Sequence, residues 1–342
     1  MKTSRLAAVA GAVALTLSMA ACGSSDDGDT GSKGDSAAAG FPITIEHKFG
    51  STEIKSQPKR IVTVGLTDQD AVLAMGVVPV ATTNWFGDAP GRIFPWADAA
   101  AKAAENPLGE GKLPEVLNSE KEFEKVAALK PDLITAIYAG LTQKDYDLLS
   151  KIAPVVAAPK GYVDYGTPWQ EATTMIGTAM GEKEKAEKMV ADVEGQLAKT
   201  KADHPEFAGK TAVTVSAYEG IFIYGPEDPR GRFLTDIGFT YPENLKKFSK
   251  ENFGESISAE NAEEVDVDTL VWVNAAKATY DMVPTYKNLR VSKEGRDVFI
   301  AEDDDLYIPS SFVTVLSIPY LIEKEVPRLV AAVDGDPSTL TN

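Results

Sequence analysis

Cysteine, histidine and basic residues are scarce in this 342-residue chain, and each shortage removes a class of function. The single cysteine, Cys22, rules out intramolecular disulfides and leaves no nucleophilic thiol in the body of the chain. Two histidines, His47 and His204, are too few for a zinc or manganese site, which normally draws on several imidazoles, and they make a Ser-His-acid arrangement improbable. No Gly-x-Ser-x-Gly motif and no phosphate-cradling glycine loop is present. The 34 Lys and Arg are outnumbered by 51 Asp and Glu with no standout basic patch, so nucleic acid is disfavoured as a partner. The acidic run Asp303-Asp304-Asp305 reads as a solvated loop rather than a catalytic pair. Past the N-terminus there is no apolar run long enough to span a membrane. These absences argue against an enzyme.

What is present begins with Lys2 and Arg5, then a nearly all-apolar, Ala-rich run over residues 6–21. Basic start, short apolar segment and small residues before Cys22 are the features of a secretory signal. Leu17-Ser18-Met19-Ala20-Ala21-Cys22 resembles a bacterial lipoprotein signal, which implies that Cys22 becomes the lipid-modified first residue. Removing residues 1–21 takes two of the 34 basic residues and none of the 51 acidic ones, which moves the net charge from −17 to −19. Residues 22–40 carry no large apolar side chain and read as a flexible tether, with a reach on the order of 20–25 Å. The expected location is the extracytoplasmic face of the cell membrane, held by the Cys22 lipid.

The remaining ~300 residues are too many for one ordinary core and suggest two lobes. Phe41-Pro42-Ile43-Thr44-Ile45 opens what looks like an edge strand over residues 41–49. Ile61-Val62-Thr63-Val64 is a continuous apolar run of the kind buried in a parallel sheet. A helical turn ending at Gly76, strands at 77–82, 132–137 and 155–158, and helices at 123–130 and 144–152 give a βαβα rhythm over residues 41–165. Residues 205–342 repeat it, with strands at 211–217, 222–224, 269–273 and 297–300. Helices there fall at 232–237, 259–265 and 312–333, the last interrupted by Pro319 and Pro327. Trp272, inside a strand, reads as core.

Between the halves lie helices over residues 166–204. In residues 182–204, Ala186, Met189, Val190, Val193 and Leu197 recur at steps of three and four among charged residues, which predicts a helix about 33 Å long with one apolar stripe. Gly195 weakens it by about 1 kcal/mol relative to Ala. An internal echo links the halves: Glu124, Leu129, Asp132 and Ile134 repeat the spacing of Glu260, Val265, Asp268 and Leu270. The spacing suggests an exposed acid at the same place on each lobe. The fold class is α/β: two lobes, each with a mostly parallel central sheet, joined by one long helix.

Several stretches in this order, behind that signal, resemble the siderophore-binding lipoproteins of bacterial ABC importers, whose two lobes are joined by a backbone helix. They are Pro58-Lys59-Arg60-Ile61-Val62, Gly76-Val77-Val78-Pro79-Val80-Ala81, Leu129-Lys130-Pro131-Asp132-Leu133-Ile134, Ile152-Ala153-Pro154-Val155, Phe233-Leu234-Thr235-Asp236-Ile237-Gly238-Phe239 and Leu316-Ser317-Ile318-Pro319-Tyr320. The resemblance implies an Fe(III)-siderophore as ligand, no cofactor, and a permease with its ATPase subunits as partners of a monomer. It implies docking through Glu124 and Glu260, and ligand contact by Trp85, Tyr138 and Phe253 and by Ser311 and Phe312 in the last contact loop, where Ser310 replaces a larger ring. An often anionic, oxygen-coordinated chelate calls for aromatic faces and a few cations, for which Arg92, Arg230, Arg232 and Lys112 are the candidates, with Tyr224 and Tyr218 on the second wall. Haem or a cobalamin-like corrinoid stays open, because the same architecture serves those ligands.

Overall fold

Runs of β-branched and small residues become short, almost wholly buried strands. The computed structural model describes residues 40–249, 252–274 and 283–336; the signal, the tether and Cys22 lie outside the described residues. The expected edge strand is instead half of an antiparallel hairpin, β1 (Ile43–His47) with β2 (Gly50–Ile54), forming a sheet of its own. Its alternation explains this: Ile45, His47, Thr52 and Ile54 turn inward while Thr44, Glu46 and Glu53 face water.

The first lobe then runs β3 (Ile61–Thr63), α1 (Asp68–Met75), β4 (Ala81–Thr83), α2 (Asp98–Ala103), β5 (Glu115–Leu117), α3 (Phe123–Ala128), β6 (Leu133–Ala136), α4 (Gln143–Leu149) and β7 (Val155–Ala157). Its sheet has the order β5-β4-β3-β6-β7, parallel throughout. Two helices come next, α5 (Trp169–Ala179) and α6 (Lys183–Asp203). The long helix matches the expectation to within a residue at each end. Ala186, Val193 and Leu197 are buried along its stripe, and Gly195 faces open space.

The second lobe comprises β8 (Ala212–Ser216), β9 (Ile221–Tyr224), α7 (Pro229–Asp236), β10 (Gly254–Ile257), β11 (Thr269–Val273), α8 (Arg290–Lys293), β12 (Asp297–Ile300), α9 (Tyr307–Phe312), α10 (Ser317–Lys324) and α11 (Val326–Asp334). Its order, β10-β9-β8-β11-β12, is that of the first sheet, but β9 runs antiparallel to both neighbours. Strands β5 and β10 are short and carry too few apolar residues to stand out in the sequence. The helix expected at 312–333 is two helices, α10 and α11, and Phe312 is the last residue of α9. Pro319 and Pro327 lie in the first turns of α10 and α11, where a missing N–H is no loss.

The echo between halves has a structural counterpart. Asp132, ahead of β6, accepts from the Lys59 and Arg60 amides that lead into β3, at 2.9 and 2.8 Å. Asp268, ahead of β11, accepts from the Thr211 amide and hydroxyl leading into β8, both at 2.9 Å. Each aspartate thus fixes the entry of its lobe's central strand. Trp272 is fully buried beside Tyr286 in the second lobe's core.

The long helix is not the only bond between lobes. One apolar cluster runs from Ile61 and Leu133 through Ile176, Val193 and Leu197 to Val271, Val298 and Leu329, and the described residues fall in a single compact unit. Residues 313–320 also cross onto the first lobe. The Thr314 hydroxyl and the Trp96 indole both donate to Asp70 Oδ2, at 2.5 and 2.8 Å, and Tyr320 packs on Trp96.

Candidate functional site: an aromatic interlobe cleft

The parallel strands of both sheets end at one crevice, the place where an open α/β sheet offers its loops to a ligand. Leu66 comes after β3, Trp85 and Phe86 after β4, and Tyr138 after β6. Opposite, Ser216 to Tyr218 end β8, Phe222 and Tyr224 lie on β9, and Val273 and Asn274 end β11. Together with Tyr165, Phe253, Tyr307 and Ser311 they line a cavity of about 430 Å³. Volumes of this order hold small ligands.

The rings form an arc across both lobes. Trp85 lies 5.6 Å from Tyr138, Tyr138 lies 5.5 Å from Tyr165, and Tyr165 lies 6.3 Å from Phe253. Phe222 continues it, 5.7 Å from Phe253 and 5.0 Å from Tyr224. Such tilted and edge-on pairs stabilise one another while leaving faces free.

Local structure holds these rings in place. The buried Asp68 carboxylate at the start of α1 accepts from the Ile137 and Tyr138 amides, at 2.9 and 3.1 Å, and so anchors the loop that carries Tyr138. Gly65 makes room for it, since a Cβ there would stand 2.4 Å from the Asp68 Cγ. Tyr165 has φ +62°, and its hydroxyl reaches Glu120 at 3.3 Å. Asn274 and Val313 also have positive φ, at +55° and +36°. Backbone of this kind costs about 1–3 kcal/mol per residue and persists where packing overdetermines it, often at binding sites.

Only two side chains on the described wall are charged at neutral pH, and they face each other. Arg230 Nη1 donates to both Asp228 oxygens, at 3.0 and 3.1 Å, and the guanidinium lies 4.1 Å over the Tyr224 ring. Burial works to lower the Arg230 pKa, but the Asp228 carboxylate together with Tyr224 and Tyr138 outweighs it and the net shift is upward. Asp228 also caps α7 by accepting from the Arg230 amide. Burial, reinforced by Asp228, pushes the Tyr138 phenol up; burial and Glu120 push Tyr165 up to about 12; burial raises Tyr307. These hydroxyls keep their protons at neutral pH; Tyr165 donates its own to Glu120, and Tyr138 and Tyr307 can donate to a ligand.

Of the residues singled out in the sequence, Trp85, Tyr138, Tyr218, Tyr224, Arg230, Phe253 and Ser311 come together on this wall. Phe312 stands behind it, buried, 4.9 Å from Trp85. Three expected cations are elsewhere. Arg92 turns back to donate to the Gly87 carbonyl within its own loop. Lys112 is exposed beside a separate hollow lined by Val78, Ile93 and Leu113. Arg232 ties α7 to the interlobe crossing by donating to the Gly166 carbonyl, at 2.7 Å, and to Glu227, at 2.6 Å. Ser310 is buried and donates to Glu325 at 2.8 Å, so it forms no part of the cavity wall. Glu124 and Glu260 are both exposed at the starts of short helical segments.

Phe86, Tyr165, Phe222, Asp228 and Tyr307 were not anticipated. Phe222 was legible in principle: it lies two residues from Tyr224 on one strand, and the period of two puts both on one face while Ile221 and Ile223 are buried. Asp228-Pro229 was likewise legible as a helix start. Tyr165 had no such signal, because it stands in an irregular crossing.

Residues 64–303 match the periplasmic binding protein family. The probable siderophore-binding lipoprotein YfiY of Bacillus subtilis (strain 168) is 29% identical over 261 residues, covering 74% of each chain. A periplasmic solute binding protein from Mycobacterium smegmatis str. MC2 155 matches with a TM-score of 0.72 at 32% identity, over 85% of this chain and 98% of its own. PiaA of Streptococcus pneumoniae TIGR4, solved in complex with ferrichrome, matches with a TM-score of 0.74 at 28% identity, over 86% and 99%. On the span of the family match and the coverage of these relatives, this chain belongs to the periplasmic binding protein family.

Proposed function

We propose that this protein is the extracytoplasmic substrate-binding component of an ABC importer and captures a ferric siderophore in the interlobe cleft. The observation that carries the reading is the aromatic arc around a cavity of about 430 Å³, built from both lobes and supplied with the protonated phenols of Tyr138 and Tyr307. A siderophore complex is bulky, with apolar rims and oxygen acceptors, and that wall offers ring faces and hydroxyls to both. The ligands named for YfiY and PiaA point the same way. Trp85, Tyr138, Tyr224, Arg230, Phe253 and Ser311 are the proposed contacts, with Phe312 supporting Trp85. Cys22 carries the lipid anchor, and Glu124 and Glu260 dock one lobe each onto the permease.

A core continuous through both lobes, together with the stiff α6, limits closure to a small hinge motion. Titration of tryptophan fluorescence with ferric siderophores, the same siderophores without iron, haem and cobalamin tests the reading, with a thermal shift as the check against absorbing ligands. Saturable quenching by a ferric chelate, weaker without iron, is expected. Saturation by haem or cobalamin alone would replace the ligand and keep the fold.

A further inference from the structure

We infer that the chelate taken by this cleft is a ferric trihydroxamate with no net charge or one positive charge, not an anionic catecholate or hydroxycarboxylate complex. The inference rests on the ferric-siderophore reading above and goes further by fixing the charge of the ligand. Its basis is a charge count. On the described wall the only ionised groups are Asp228 and Arg230, and each cancels the other at 3.0 Å. Arg230 is further enclosed by Tyr224 and is 5% exposed, so no unpaired cation faces the cavity among the described residues. The cations that could have changed this, Arg92, Lys112 and Arg232, are engaged or located elsewhere.

The surface adjoining the cleft on one side is acidic. An adjoining hollow shares Trp85, Phe86 and Tyr307 with it and carries Asp88, Asp98 and Glu302 with no Lys or Arg on its wall. The chain as a whole has a net charge of −17. A field of that sign slows the arrival of anions and favours neutral or cationic solutes.

Three hydroxamates each lose one proton and together balance Fe(III), giving a neutral complex unless a side chain adds an amine. Three catecholates leave three negative charges on the complex. An anion of that charge entering this cavity would lose hydration with no unpaired cation among the described residues to replace it. The hydroxamate complex instead needs ring faces for its carbon rim and neutral donors for its oxygens, which the Tyr138 and Tyr307 phenols and Asn274 supply.

The test is calorimetric titration of the full-length chain with ferrichrome (neutral), ferrioxamine B (one positive charge), ferric enterobactin (three negative charges) and ferric citrate. We expect at least one hydroxamate complex to bind about 100-fold or more tighter than either anionic one, with little dependence on salt. The variant Asp228→Asn, which keeps a side chain able to cap α7, frees the Arg230 charge and should move the preference toward the anionic complexes by about tenfold or more. Equal or tighter binding of enterobactin or citrate, or an unchanged preference in Asp228→Asn, would overturn the charge inference and leave the siderophore reading standing. Binding of haem or cobalamin with none of the four ferric chelates would overturn both.

Discussion

The two sheets share one strand order and differ in the direction of one strand, and that difference shapes the two walls of the cleft. In the first lobe's five-stranded sheet every strand is parallel, so the wall is built from the loops at the strand ends, which carry Leu66, Trp85, Phe86 and Tyr138. In the second lobe β9 is reversed, so part of the wall is the strand itself, with Phe222 and Tyr224 at fixed spacing and Arg230 locked against Asp228. A loop wall is positioned by individual hydrogen bonds such as Asp68 to Tyr138, whereas a strand wall is positioned by the sheet. The same topology can therefore present a more adjustable face on one side and a more rigid one on the other.

The largest expected effect would come from the pair of exposed acids, one per lobe. Glu124→Arg with Glu260→Arg should abolish uptake of the ligand by cells while leaving its affinity for the purified protein unchanged. If transport survived, the docking assignment would be wrong. The single variants ask whether the two lobes dock equally.

Next in size is the contrast between the walls. Trp85→Ala should weaken chelate binding by about 1.5–3 kcal/mol, the value of burying a large side chain. It also removes the contact with Phe312. Phe222→Ala on the strand wall should cost less, about 1 kcal/mol, because Tyr224 and Phe253 stay in place on either side of it. Titration calorimetry of both variants decides whether the loop wall or the strand wall carries more of the affinity.

Smaller again are the two strand-entry aspartates. Asp132→Ala and Asp268→Ala should each lower stability by about 1–2 kcal/mol in urea unfolding, because each leaves two donors unpaired. Asp268 should cost more, since it is less exposed and also pairs with Arg290.

The last effect is one of pH. Burial raises Asp70 to about 6, against the bonds from Thr314 and Trp96, and burial raises Glu325 to about 7. Both are therefore above their unfolded values, so the folded protein holds protons that the unfolded chain has released. Stability from these groups is present at low pH and is lost as pH rises through about 6 to 7. The melting temperature should fall by a few degrees between about pH 5 and pH 8. Asp70→Asn with Glu325→Gln should flatten that slope, which separates these groups from the general repulsion of an acidic chain.

The βαβα rhythm, the long helix and the repeated spacing around Glu124 and Glu260 were legible because each is a local pattern with a fixed period. Trp85 and Tyr138 were named through the family resemblance, and Tyr224 as a candidate for the second wall; all three line the cavity. Arg92 and Arg232 misled for a physical reason. A loop arginine is as able to satisfy a backbone carbonyl as a ligand, and sequence does not say which carbonyl will be within reach. Tyr165 and the reversal of β9 were hidden, the first in an irregular crossing, the second because a short apolar strand has the same composition in either direction.

The sequence alone determined the two α/β halves, the helix between them and the acidic character, since composition and periodicity act over neighbouring residues. The tertiary structure decided the cancellation of Arg230 by Asp228, the continuous apolar core through both lobes, and the placing of Phe222, Tyr165 and Trp85 around one cavity. Those features depend on distances between residues far apart in the chain, and such distances are set only when the sheets, helices and crossing segments pack together.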